Sequence, residues 1–215
     1  CSNANFKDKW VFWSFTFWEE GADVKSSIYL NGVLQQTLTF TNVSLPAITT
    51  NNVICAGSAD SDSQRKGFGA YIDDFRIYNS VLNVDEINKI MAEIQIDPIV
   101  HYKFDGDFTD SSGNGYDILE NEGNVPINTV YYKRGTGSVN FDMTLGDGLW
   151  IDKTSIEPSR LSPHLYQNPN GITISFWMYN RTSGGQSYAR VFEAQKTGAT
   201  ANSYGIAIGF EIPTN

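Results

Sequence analysis

Residues 10–18 of this 215-residue chain read Trp-Val-Phe-Trp-Ser-Phe-Thr-Phe-Trp, and few structures can hold so many rings in so short a segment. In an extended strand Trp10 and Phe12 fall on one side and Trp13, Phe15 and Phe17 on the other. Aromatic side chains of this kind suit a pleated sheet packed on both faces. The segment is therefore a core strand, and it commits the chain to layered β structure. Residues 19–23 form a polar turn, and residues 27–30 resume as a strand. Asn31-Gly32 then reverses the chain into residues 33–40, because both residues tolerate the positive φ of a type I′ turn.

Further strands are expected at residues 53–57, 68–78, 99–104, 138–142, 149–151, 172–179, 190–194 and 204–212, with a polar loop at 58–66. Many short strands punctuated by Gly, Asn and Pro indicate a sandwich or jelly roll. Along 68–78, strict alternation puts Tyr71, Asp73, Phe75 and Ile77 on one face and Ile72, Asp74, Arg76 and Tyr78 on the other. One helix is expected, over residues 84–94. Asn83 caps it, Glu86 reaches back as its third residue, and Val84, Ile87, Ile90, Met91 and Ile94 form one stripe. Asp97-Pro98 is expected to stop it, since a residue before proline is pushed out of the α region.

With 40% hydrophobic and 18% charged residues the chain can bury a sizeable core, and its length suits one large all-β domain or two smaller ones. A net charge of −9 argues against phosphate backbones and anionic lipid as partners. No run of about 18 apolar residues is present to span a membrane. Cys1 and Cys55 would pair in an oxidising compartment or stay as buried thiols. Asn42-Val43-Ser44 and Asn180-Arg181-Thr182 are acceptor triplets for glycans in a eukaryotic secretory setting.

The best site candidate is the loop that carries Asp105, Asp107, Asp110 and Asn114. Hard oxygen ligands at short spacing, with glycines that let the backbone curl, suit calcium. The same residues also suit a solvated loop of Asx turns. Catalytic readings are weaker. Glu19 with Glu20, Asp73 with Asp74 and Asp85 with Glu86 are paired carboxylates, and hydrolysis of a glycosidic bond uses two carboxyls. The two histidines are His101, which reads as a packed or edge residue, and His164. No nucleophile-elbow motif is present. An enzyme is not expected. Most aromatic residues sit within strand patterns and belong to the core; Trp18, Trp150 and Tyr188, near loops, are the ones available to stack on a sugar.

Four segments together resemble the laminin-G-like, concanavalin A-like jelly-roll superfamily. They are Tyr102-Lys103-Phe104-Asp105-Gly106 with residues 110–115; Gly137-Ser138-Val139-Asn140-Phe141-Asp142; Ile172-Thr173-Ile174-Ser175-Phe176-Trp177; and Ile28-Tyr29-Leu30-Asn31-Gly32 with Ile72-Asp73-Asp74-Phe75-Arg76-Ile77-Tyr78. The resemblance implies an all-β antiparallel sandwich of the jelly-roll type, with one short helix between two halves. In that family the last-quoted elements follow the others, whereas here they come first. Residues 1–96 thus look like a closing half and residues 97–215 like an opening half, either of neighbouring jelly rolls in a tandem array or of one permuted domain. Pairing of residues 204–212 with 10–18 would count against the array.

The resemblance further implies a structural calcium between the loop at Asp105 and the acidic pair Asp73 and Asp74. The Glu-x-Asp-x-x-Glu strand of jelly-roll glucanases is absent. The expected function is that of a non-enzymatic extracellular structural or adhesive module within a larger surface or filament protein. Its partners would be other protein subunits or neighbouring repeats of the same chain. Carbohydrate binding, as a lectin-like accessory module, is the alternative.

Overall fold

The computed structural model describes residues 6–45, 48–54, 69–94, 96–142, 148–152, 160–161, 169–181, 189–196 and 204–210. Cys1, Cys55, His164 and Tyr188 lie outside them. The strands are β1 (Trp10–Glu20), β2 (Asp23–Leu30), β3 (Val33–Phe40), β4 (Ile48–Ile54) and β5 (Ala70–Tyr78), followed by the helix α1 (Val84–Met91). After it come β6 (Val100–Tyr102), β7 (Glu120–Glu122), β8 (Ile127–Asn128), β9 (Ser138–Phe141) and β10 (Gly148–Asp152). The last three are β11 (Ile172–Asn180), β12 (Ala189–Lys196) and β13 (Tyr204–Phe210).

These strands form two antiparallel sheets, as in a concanavalin A-like sandwich. The larger runs β3-β2-β1-β11-β5-β9-β8, with β6 also paired to β5, and the smaller runs β13-β12-β4-β10-β7. Strands from both halves of the sequence mix in each sheet: β11 lies between β1 and β5, and β4 lies between β12 and β10. Trp10 to Phe17 pair with Tyr179 to Ile172, so β1 lies between β2 and β11. The pairing of residues 204–212 with 10–18 that would count against an array is not observed among the described residues; β13 pairs with β12.

Between the sheets, the side chains that alternation turns inward form one apolar cluster, which takes in Trp13 and Phe15 of β1, Ile174 and Phe176 of β11, and Phe192 of β12. Phe75 sits at its centre, with ring centroids 5.9 Å from Phe176 in its own sheet and 5.9 Å from Phe192 in the other. Phe12, Tyr78 and Trp177 face outward from the larger sheet and pack under Ile87 and Ile90 of the helix. The Asn31-Gly32 turn forms as expected, with φ of 47° and 78°. Gly32 lies against the helix, where a Cβ would meet the Asn88 amide at 1.9 Å.

Two local expectations are corrected. The alternation along β5 breaks at Asp74. Arg76 faces Ser175 and Asp73 faces Trp177, so β5 carries one extra residue between these pairs. Asp74 takes φ 53° to absorb it, as a bulge requires. Ile72, Phe75 and Ile77 therefore all point into the core, and Asp73 does not share the face of Phe75.

The helix ends at Met91 and not at the proline. Its start is the expected capping box, with Asn83 accepting from the Asp85 and Glu86 N–H groups. At its end Glu93 takes φ 66°, and the Ile94 N–H closes back on the Lys89 carbonyl at 2.8 Å. This is the left-handed stop more usual for glycine. Of the residues expected on the apolar stripe, Val84 at the helix start and Ile94 beyond this stop are 45% and 56% exposed.

Candidate functional site

The outer face of the larger sheet carries the polar groups that the bulge diverts from the core. Residues 129–137 cross this face beside β5. The Lys133 and Arg134 N–H groups both donate to Asp73 Oδ2 at 2.7 Å. Asp73 is fully buried, and burial pushes its carboxyl from 3.8 up to about 7. The two N–H donors oppose this rise, and the charges of Asp74 and Asp105 add to it.

Asp74 turns to the other side of the bulge. Its Oδ1 accepts from His101 Nε2 at 2.6 Å and from Arg76 Nε at 2.9 Å. These groups, with Lys103, Asp105 and Arg134, line an open cavity of about 460 Å³ between the helix end and the loop after β6. Its polar groups are largely matched to each other: Arg76 and His101 contact Asp74, and Arg134 serves Glu93 and the Met91 carbonyl.

Among the described residues, His101 and Ser112 do not pair as base and nucleophile. His101 spends Nε2 on Asp74, while the Ser112 hydroxyl donates to Asp110 Oδ2 at 2.7 Å instead of meeting the imidazole. His101 thus acts as the packed edge residue expected from its strand.

The loop residues proposed as calcium ligands act as turn acceptors. Asp107 accepts from the Thr109 N–H at 3.0 Å and the Thr109 hydroxyl at 2.7 Å, and these bonds hold its carboxyl below the usual range. Asp110 accepts from the N–H groups of His101, Ser112 and Tyr116 and from the Ser112 hydroxyl. Asn114 donates to the Ile99 carbonyl, and Asp105 accepts from the N–H groups of Thr136 and Gly137. Among the described residues no group of three or more His, Cys, Asp or Glu stands together as a metal cradle. Asp73 Oδ2, Asp74 Oδ1 and the loop carboxylates thus accept from separate backbone and side-chain donors, while Asp73 Oδ1 and Asp74 Oδ2 are buried without a hydrogen-bond partner.

Further along the same face lies a cluster of rings that the sequence did not single out. Register places Trp10 opposite Tyr179, and Tyr179 opposite Tyr71, so three adjacent strands contribute one aromatic row that ends at Asn140. Tyr131, from the crossing segment, stacks on Tyr71 with centroids 5.2 Å apart and planes 13° from parallel. It also lies 5.9 Å from Tyr179, which in turn meets Trp10 at 5.7 Å. The Arg181 guanidinium covers Tyr71 at 4.6 Å. Tyr131 is 48% exposed, Trp10 and Tyr179 are half-buried, and Tyr71 forms the floor. Partial desolvation, helped by the Asp8 charge and the neighbouring phenols, raises Tyr179, so its hydroxyl stays a neutral donor.

The aromatic residues chosen from sequence fare differently. Trp150 is 1% exposed, packs on Val53 and donates its indole N–H to Glu122, so it presents no face to a ligand. Its strand, read as lying next to a loop, sits inside the smaller sheet between β4 and β7. Trp18 is half-buried near the end of β1. Of the two glycan acceptors, Asn42 is exposed in the turn after β3, whereas Asn180 is 3% exposed at the end of β11 and is closed to modification in the folded chain. No helix among the described residues is long and apolar enough to cross a membrane.

A family model described as the concanavalin A-like lectin/glucanases superfamily, of the laminin G type, matches residues 2–88. No curated protein and no solved structure matches the chain.

Proposed function

We propose that this chain, whose residues 2–88 match the family model of the concanavalin A-like lectin/glucanases superfamily, is a non-catalytic extracellular adhesive module that binds carbohydrate on its outer aromatic row. Modules of this family are often adhesive or carbohydrate-binding and are generally not catalytic. The observation that carries the reading is the row Trp10, Tyr179 and Tyr71 with Tyr131 stacked on its end. A pyranose has an apolar face of C–H groups and a rim of hydroxyls. Flat rings cover the first, and phenol hydroxyls with the Asn140 amide are suited to the second.

The site is built on strands, and the Tyr71 ring is held from both sides by Tyr131 and the Arg181 guanidinium. Little conformational entropy is then lost when a ligand docks, which favours binding by a shallow surface. Glycans are also mostly neutral or weakly charged, so the net charge of −9 does not repel them. The interleaving of strands from both halves supports one sandwich built from residues 1–96 and 97–215 together.

Titration of the full chain with a panel of soluble neutral oligosaccharides, followed by calorimetry and tyrosine fluorescence, tests the proposal. Saturable binding is expected, weakened about tenfold or more by Tyr131→Ala and by Tyr179→Ala, since tenfold corresponds to only ~1.4 kcal/mol. Trp150→Phe, within the core, is expected to leave affinity unchanged. Absence of saturable binding across the panel, or binding that both tyrosine variants leave intact, overturns it.

A further inference from the structure

The larger sheet ends on β3, and that edge is unlike the rest of the surface. Among the described residues β3 pairs with β2 and with no other strand. Val33, Leu34 and Phe40 along it are 61%, 50% and 47% exposed. An open edge presents a row of unpaired N–H and C=O groups, and proteins usually blunt such edges with charge, proline or a bulge. Here residues 26–59 contain no Asp, Glu, Lys or Arg, and no proline occurs within β3.

The beginning of the strand is closed off. A register shift opposite Ile28 and Tyr29 marks a bulge at Gln35, and the Gln35 amide donates to the Val33 carbonyl at 3.0 Å. From Gln36 to Phe40 the register is regular, with Gln36 opposite Ile28 and Phe40 opposite Val24. This stretch is an unprotected template for one more strand.

We propose that residues 36–40 form a self-association site, where β3 pairs antiparallel with β3 of a second copy across a two-fold axis at Leu38. The larger sheets of two molecules then become one continuous sheet. Two observations select a second copy as the occupant. The chain carries a net charge of −9, so copies repel over most of their surface, yet approach along this uncharged edge sets no like charges opposite each other. The segment is also self-complementary when reversed. Gln36 meets Phe40, Thr37, whose hydroxyl already pairs with Ser27 at 2.8 Å, meets Thr39, and Leu38 meets itself. A two-fold contact requires this kind of self-matching.

A contact of this size belongs at the small end of specific interfaces, so the dimer is concentration-dependent. Sedimentation velocity of the full chain from about 1 to 200 μM is the measurement, over a range suited to such a weak interface. The wild type is expected to pass from monomer to dimer. Leu38→Lys and Leu38→Glu, each placing like charges directly opposite across the axis, are expected to stay monomeric alone and to dimerise when mixed. Should either variant melt early by circular dichroism, Phe40→Lys and Phe40→Glu, at an exposed position, replace them in a test for loss of the dimer. A wild type that stays monomeric throughout, or a dimer that these charges leave intact, overturns the proposal. So does a Leu38→Lys and Leu38→Glu mixture that remains monomeric while both variants are folded. Capture of a foreign strand peptide by a chain that does not self-associate would likewise overturn the choice of a second copy.

Discussion

The two faces of β5 are built by different rules. On the inner face Ile72, Phe75 and Ile77 merge into one apolar cluster shared by both sheets, with side chains excluded from water and no polar group to satisfy. On the outer face Asp73, Asp74 and Arg76 are almost as deeply placed, yet each depends on a named partner: the Lys133 and Arg134 N–H groups, His101, and the Asp74 carboxylate. The inner face tolerates any well-packed apolar set of similar volume. The outer face tolerates little exchange, because a buried polar atom that loses its partner keeps the full cost of leaving water. Stability and pH response are therefore divided between the two sides of one strand.

Removing the central ring should show the largest effect. Phe75→Ala takes away the side chain that touches both Phe176 and Phe192, and large-to-small changes at such positions cost about 3–5 kcal/mol. Urea unfolding should show a lower midpoint with an unchanged slope. A loss under about 1 kcal/mol would mean that the two sheets are not joined through this ring, well below the usual range for such a change.

The next effect appears only as pH varies. The folded value of Asp73, about 7, lies above its ordinary 3.8, so the folded chain holds this proton to higher pH than the unfolded chain does. Its contribution is thus most favourable below about pH 4, declines as pH rises towards 7 and is level above that. Asp73→Asn keeps an acceptor for Lys133 and Arg134 but removes the titration. Relative to wild type, the variant should be unchanged near pH 4 and gain a few kcal/mol by pH 8, as a shift of this size implies. Unfolding curves at a series of pH values check this, and curves that stay parallel across the window would refute it.

How much of this was legible in the residues follows from the range of the interactions involved. The β1 strand, the Asn31-Gly32 turn and the Asn83 to Glu86 cap are written in neighbouring residues, and each was readable. The β5 faces depart from simple alternation because a bulge is set by the pairing of Arg76 with Ser175 and Asp73 with Trp177, about a hundred positions away in sequence. Nothing local to Asp74 announces it. The helix ran short of its expected end because Glu93 takes a conformation that sequence reserves for glycine, and its carboxylate is held by the distant Arg134. The aromatic row was invisible for the same reason. Trp10, Tyr71 and Tyr179 are single residues on three strands, and only the registers β1 to β11 and β11 to β5 align them. The Val130-Tyr131-Tyr132 run was a usable signal, since large apolar residues outside any strand pattern are rarely core.

The smallest stability effect sharpens the contrast most. Tyr131 lies on the outer face at 48% exposure, and its main contact is the stacked face of Tyr71. Tyr131→Ala should therefore cost no more than about 1 kcal/mol, the scale of a single aromatic pair near the surface. The same change is expected to reduce oligosaccharide affinity about tenfold, ~1.4 kcal/mol. Phe75→Ala should do the reverse, lowering stability while the residual folded fraction binds with unchanged affinity. Thermal melts and calorimetric titrations on both variants give a two-by-two comparison in which each face answers one measurement. If Tyr131→Ala lowered stability by as much as Phe75→Ala, the crossing segment 129–137 would be part of the core, and the outer face would lose its standing as a separate binding surface.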